Sequence, residues 1–245
     1  ESFRIASELN IFNDERKLLE KDLITLIMKK VEQEKDSPAL ILYGANWHQG
    51  IIGIIAARIK DKYNKPTIII SVEDDVGKAS ARSVVGFDIG AAIISAIDKN
   101  LLLKGGGHKM AGGFTIDMAK IKSFKDFIFK KLKLVNNISG VRKIMIDSEI
   151  APTALNLEFY DKINILSPFG SGNSEPRFTI ENLKIINSKI VGEKHIKSIL
   201  LGSEGTPINT IAFNAIDNQI GPYLMQKNKK NINIAGKITL NNWKG

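Results

Sequence analysis

Two apolar runs, "ALILY" (39–43) and "PTIIIS" (66–71), leave this chain few folds to choose from. Each is continuous rather than alternating, the pattern of a strand covered on both faces. Between them "GIIGIIAARIKDKY" (50–63) has helical period, with small residues along one side. A third, more polar strand is expected at "KASARSVV" (78–85), and a helix opened by Asp88 at "DIGAAIISAIDKN" (88–100). A further amphipathic helix follows at "AKIKSFKDFIFKKLKL" (119–134). Strand–helix–strand alternation of this kind predicts an α/β domain, a sheet with helices on both faces. Ahead of it, residues 13–35 predict a helix with Asn13 as N-cap and Leu19, Leu23, Leu26 and Ile27 as its apolar stripe, ended by Ser37-Pro38.

After Asn136 the pattern changes to short β-branched segments separated by turn residues, apart from a short helix at 152–164. That is the pattern of a small all-β barrel. The expected division is a connector region at 1–36, an α/β domain at 37–137 and a barrel at 138–245, with the boundary near "NNISG" at 136–141.

The 245 residues carry a net charge of +9 and no cysteine. The charge suits a polyanionic partner, although lysine enrichment through the whole chain offers a purely compositional explanation. Lacking cysteine, the chain has neither disulfides nor thiolate metal sites, which fits a reducing cytoplasm. No apolar run is long enough to span a membrane. The first residue is Glu1 and no export signal precedes the fold, an expectation that fits a piece of a larger protein.

Three segments have the residue types of an anion site. In "YGANWHQGIIG" a strand ends and a helix begins near Gly50, so free N–H groups and the positive dipole end meet Trp47, His48 and Gln49. Trp47 as a core anchor and His48 as a solvent-facing loop residue is the competing reading. In "KASARS" alternation places Lys78, Ser80 and Arg82 on one face, a fork for phosphate oxygens or simply the wet face of an edge strand. In "GGGHKMAGGFTI" five glycines surround His108. Gly105, Gly106 and Gly107 could turn their N–H groups inward as an anion nest, with His108 donating to a scissile phosphate oxygen. The clustered carboxylates that would hold a metal are missing from the sequence.

These motifs together resemble one family. "GGGHKMAGGFTI" looks like the glycine-rich signature of the DHH-associated domain, found in a superfamily of metal-dependent phosphoesterases. With "NWHQGIIGIIAARI", "KASARS" and "LSPFGSGNSEPRF" in this order, nearly the whole chain resembles the RecJ-type single-strand-specific 5′→3′ exonucleases. The resemblance implies a DHH-associated α/β domain with a mixed sheet, followed by an OB-type nucleic-acid-binding barrel, and a connector helix at 13–35. It implies Mn²⁺ or Mg²⁺ held mainly by a DHH domain that these residues do not include. It implies that His108 touches the scissile phosphate, that Ser80 and Arg82 grip phosphate, and that Trp47, His48 and Gln49 line the cleft. Arg58 and Arg16 fall at basic positions in family-like segments. Arg177 and Phe178, ending "PFGSGNSEPRF", are expected to offer a charge and a stacking face to a base, with a plain interdomain tether as the alternative. The lysines Lys227, Lys229 and Lys230 are expected to attract phosphate nonspecifically. The chain stops at "NNWKG", where the family pattern runs on, so the barrel is expected to be incomplete with an unpaired edge.

The function expected is the substrate-binding part of a 5′→3′ single-stranded-DNA exonuclease of repair and recombination, inactive as this piece alone. Its partner would be single-stranded DNA or RNA, with a repair helicase or single-strand-binding protein beside it. A non-catalytic strand clamp and a short-nucleotide phosphodiesterase of the same superfamily are the alternatives.

Overall fold

The computed structural model describes residues 1–135, 144–170, 172–216, 218–226 and 231–241. The expected boundary at 136–141, Lys227, Lys229 and Lys230, and residues 242–245 lie outside these. The chain divides into two compact units, Glu1–Arg142 and Lys143–Gly245.

The first unit opens with a 33-residue helix, α1 (Ser2–Glu34). It is followed by β1 (Leu40–Ala45), α2 (Gln49–Tyr63), β2 (Thr67–Glu73), β3 (Val76–Arg82), α3 (Ile89–Asp98), β4 (Lys104–His108), β5 (Ala111–Asp117) and α4 (Ile121–Lys133). The sheet order is β1-β2-β3-β5-β4, with β1 and β2 parallel and every other pair antiparallel. It is a mixed sheet: β2 and the first half of β1 are buried on both faces, whereas β3 and β5 alternate between buried and more open positions. Leu40, Leu42 and Ile69 join Ile51, Ile55 and Ile59 of α2 and Ile27 and Val31 of α1 in one core. Ile41, Ile68, Ile70, Phe114 and Ile116 join Ile89 and Ile93 of α3 and Phe124, Ile128 and Leu132 of α4 in the other. Asp74 and Asp75, with φ of 47° and 62°, make the tight β2–β3 hairpin, because turns of this hand match strand twist.

Two local expectations are corrected. Asn13 is not a cap: α1 starts at Ser2, and the Asn13 side chain accepts from Arg16 inside the helix at 3.0 Å. Nothing between residues 2 and 13 breaks a helix, so α1 runs on. Its packed face is Glu20, Leu23, Ile24, Ile27, Met28 and Val31, while Leu19 and Leu26 remain about half exposed.

The second unit contains β6 (Ser148–Glu149), α5 (Leu157–Asn164), β7 (Phe178–Val191), β8 (His195–Leu201), β9 (Pro207–Ala212), α6 (Ile220–Leu224) and β10 (Ile232–Gly236). Its order is β10-β7-β8-β9, with the short β6 pairing parallel to β7. The 14-residue β7 serves two neighbours in turn: residues 178–183 pair with β10 and 184–191 with β8. Ile180, Leu183, Ile185, Leu200, Ile208 and Ile232 fill the inside of this half-barrel.

Candidate functional site

Antiparallel pairing sets three rows of side chains on one face of the first unit's sheet, since directly opposed residues point the same way. Arg82, Ala111 and His108 form the first row, Ser80, Gly113 and Gly106 the second, and Lys78, Thr115 and Lys104 the third. At about 4.8 Å per strand, Arg82 and His108 stand roughly 10 Å apart across β5. Between the two outer rows lies a floor with almost no side chains. A Cβ added to Gly106 would meet nothing within 4 Å, so this backbone faces open space. Basic side chains edge the floor on both sides: the Arg82 guanidinium and the His108 imidazole along one, Lys78 and Lys104 along the other.

Helix α2 crosses the β3 end of this face. Gly53 sits where a Cβ would lie 3.1 Å from the Ser80 hydroxyl and 3.3 Å from an Arg82 guanidinium nitrogen. Its missing side chain is what lets α2 approach these groups. The guanidinium donates to the Ser80 Oγ at 3.2 Å and to the Ala81 carbonyl at 2.9 Å, which fixes its direction. The helix begins under a side-chain cap, the Gly50 N–H donating to His48 Nδ1 at 3.2 Å. His48 and Gln49 are exposed at this N-terminus.

The other edge is held equally firmly. The Ser83 N–H donates to the Met110 carbonyl at 2.8 Å, and the Ile89 N–H to the Lys109 carbonyl at 3.2 Å. The buried Ser83 hydroxyl donates to the Phe87 carbonyl at 2.6 Å. The tip of the β4–β5 hairpin is thereby tied to the loop that follows Arg82.

The glycine stretch is not an anion nest. Gly105, Gly106, Gly107, Gly112 and Gly113 lie in paired strands, and none has positive φ. Their absent side chains matter for another reason. A Cβ at Gly107 would meet the Ala111 carbonyl at 2.4 Å, and one at Gly112 would meet Ile93 of α3 at 2.5 Å. Gly107 therefore permits close strand pairing, Gly112 close seating of α3, and Gly106 and Gly113 leave the floor bare.

Several expected contact residues are placed elsewhere. Trp47 is only 6% exposed, packed over Gly44 in the core, so it braces the loop rather than presenting a ring. Arg16 and Arg58 both face Glu20, a carboxylate buried on α1, at 3.1 and 2.7 Å. The Arg58 contact is ionic rather than a hydrogen bond, since Glu20 Oε1 has no donor in hydrogen-bonding geometry. This triad ties α1 to α2 and occupies both guanidiniums. In the second unit, the Arg177 N–H donates to Asp147 at 2.8 Å and its guanidinium to the Met145 carbonyl at 3.4 Å. Phe178 packs edge-on against Phe159, ring centroids 5.4 Å apart. Neither is presented freely to a base.

Sequence reasoning missed Lys104 and Thr115, whose alternation along the hairpin is masked by the glycines between them. It also missed the outer face of the half-barrel. There Lys189 lies directly opposite Lys197, with Ile211 next in the row. Phe213, 66% exposed, packs edge-on to His195 nearby. Like charges placed opposite each other are unfavourable unless an anion lies between them. The signal was in the sequence, as a lysine near the turn on each of two adjacent strands.

Among the described residues no three His, Asp or Glu side chains converge as a metal site would require. The donors present do not fit Mn²⁺ or Mg²⁺. No helix among them is long and apolar enough to cross a membrane.

Residues 36–134 match the DHHA1 domain and residues 146–245 the RecJ OB domain. The fold and its bare-floored sheet are thus those of a DHHA1 domain joined to an OB domain. Curated relatives are named single-stranded-DNA-specific exonuclease RecJ. That of Escherichia coli K12 is 27% identical over 251 residues, and that of Haemophilus influenzae 31% over 258. Each alignment takes in 98% of this chain and 43% of the relative, so the chain spans less than half of their length. The crystal structure of Thermus thermophilus RecJ in complex with Mn²⁺ superposes with a TM-score of 0.76 at 25% identity, over 98% of this chain and 33% of that one. Over nearly its whole length the chain is similar to RecJ, and its two domain matches are those of a RecJ C-terminal portion.

Proposed function

We propose that this chain is the strand-holding part of a 5′→3′ single-stranded-DNA exonuclease acting in DNA repair and recombination. The carrying observation is the glycine-bare floor flanked by Arg82, Ser80, His108, Lys78 and Lys104. An extended phosphodiester can lie directly on the main chain there, because between the two outer rows only Ser80, at the β3 end, carries a side chain. Arg82, pre-aimed by Ser80, offers two parallel donors to one phosphate. His108 donates to a non-bridging oxygen of the scissile phosphate and stabilises charge as it develops. Activating the attacking water is not a task these residues are equipped for. The relatives' name, single-stranded-DNA-specific exonuclease, supports this reading. So does the Lys189–Lys197 face of the OB domain, where Phe213 offers a ring for stacking.

The test separates holding from chemistry. In the full-length protein, Arg82→Ala is expected to raise KM for a 5′-labelled oligonucleotide. His108→Ala is expected to lower kcat about a hundredfold or more, the usual scale for a positioned donor. Wild-type kinetics in both variants would remove this face from the site.

A further inference from the structure

Charge is not spread evenly through the first unit. Residues 1–98 hold thirteen basic and fifteen acidic side chains, a net of −2, whereas residues 99–133 hold nine lysines against two aspartates, a net of +7. Uniform lysine enrichment predicts no such break. Of these nine lysines Lys104 belongs to the floor's edge, while five lie on α4, whose inner residues Ile121, Phe124, Ile128 and Leu132 are buried against the sheet. That core lies under the buried side chains Ala79 and Ala81, which alternate along β3 with Ser80 and Arg82. The α4 lysines and the floor therefore occupy opposite faces of one sheet.

The lysines are held close together and outnumber the acids beside them, Asp126 and Glu34. Lys99, at the end of α3, and Lys131 both sit over the half-buried Phe127 ring, at 5.6 and 5.5 Å from its centroid. The ring face offsets part of their repulsion. Lys130 and Lys133 line a shallow groove of about 380 Å³ with Phe129, Pro38 and Asp126. Among the described residues only Lys125 of α4 is in an ion pair, with Glu34 at 2.7 Å. Lys99, Lys122, Lys130, Lys131 and Lys133 are in none. Along α4 this array extends about 17 Å from Lys122 to Lys133, at 1.5 Å per residue.

We infer that the outer face of α4 is a second nucleic-acid surface, one that docks the phosphate backbone of duplex DNA. Its charge complements a polyphosphate, and its chemistry discriminates between strands. Single strands add to backbone attraction the stacking of their bases on exposed rings. Here Phe127 and Phe129 are half-buried beneath lysine side chains, which leaves backbone charge as the only thing to read. A duplex presents that charge at the greatest density, one per about 1.7 Å of axis. The surface would hold the paired region next to a single-stranded end, independently of what the floor binds.

The experiment titrates this chain with a labelled blunt 20-base-pair duplex and, separately, a 20-nucleotide single strand across a salt series. Two variants are compared with wild type, Lys99→Gln with Lys131→Gln, and Lys130→Gln with Lys133→Gln. All four positions lie off the buried stripe, and unchanged thermal unfolding checks that both variants fold. Each pair is expected to weaken duplex binding and to flatten the slope of log K against log salt by about 1.8, roughly 0.9 per lost phosphate contact. Single-strand binding should change little, in contrast to Arg82→Ala, which should weaken the single strand and spare the duplex. Unchanged duplex affinity and slope, or no duplex binding at low salt, would overturn the inference. Equal losses on duplex and single strand would overturn the assignment to duplex while leaving the proposal for the floor intact.

Discussion

Gly106 and Gly107 are neighbours in one strand, yet they lack a side chain for opposite reasons. A methyl group at Gly107 would collide with backbone of the partner strand, where nothing can yield cheaply. Gly107→Ala is therefore expected to lower stability by about 2 kcal/mol or more, read from a denaturant midpoint. A methyl group at Gly106 meets nothing. Gly106→Ala should fold as wild type does while weakening single-strand binding, because it roughens the floor. A folding defect at Gly106 would show that this strand is not open to ligand. The sequence displayed five glycines around an imidazole but not which of glycine's two freedoms each one uses. Positive φ and a missing Cβ leave the same letter, so the nest was expected and the hairpin found. His108, Arg82 and Ser80 were legible because a basic or hydroxyl side chain alternating with alanine or glycine has little reason to be there otherwise.

Helix α1 shows where element-level reading succeeds and where it stops. Its existence followed from periodicity, but its start did not, since residues 2–12 contain no breaker and their apolar side chains lie largely exposed. Its attachment to α2 was legible only in hindsight: an acid, Glu20, on the apolar stripe is a buried charge waiting for partners. Arg58→Ala leaves that carboxylate with Arg16 alone and should destabilise the unit by about 1–2 kcal/mol. This lies below the range for fully buried pairs, because both guanidiniums remain partly in water. A second tie joins Glu32 to the Tyr63 hydroxyl, which donates at 2.9 Å. That hydrogen bond, together with Lys35, holds the Glu32 carboxyl below its ordinary value, while burial and the same bond raise the Tyr63 hydroxyl above its own. A lowered carboxyl contributes stability above its unfolded value, near 4.5, and loses it as pH falls through the lowered folded value. A raised phenol contributes below its unfolded value and loses it as pH climbs through the raised one. Thermal unfolding of wild type and Tyr63→Phe should therefore differ at neutral pH and converge in acid. An unchanged gap at pH 3 would exclude this pair as the source.

At the scale of the molecule, two domain types stood out because their strands obey different rules: continuous apolar runs in the sheet covered on both faces, and short alternating segments in the half-barrel. Less legible was the division of tasks, because charge balance is a property of regions and surfaces rather than of any motif. The converging carboxylates of a metal site are missing from the described residues. This chain supplied with Mn²⁺ and a labelled single strand should accordingly bind without turnover, and measurable hydrolysis by the purified chain would show that a catalytic centre lies within it. The hydrogen bonds between the hairpin tip and the segment after Arg82 have one more effect. They make the backbone under the guanidinium and the imidazole a single comb, the spacing of the two attachment points set by the main chain alone. A polymer whose repeat matches that spacing settles without reordering this edge, and one that does not must bend itself, since the comb will not.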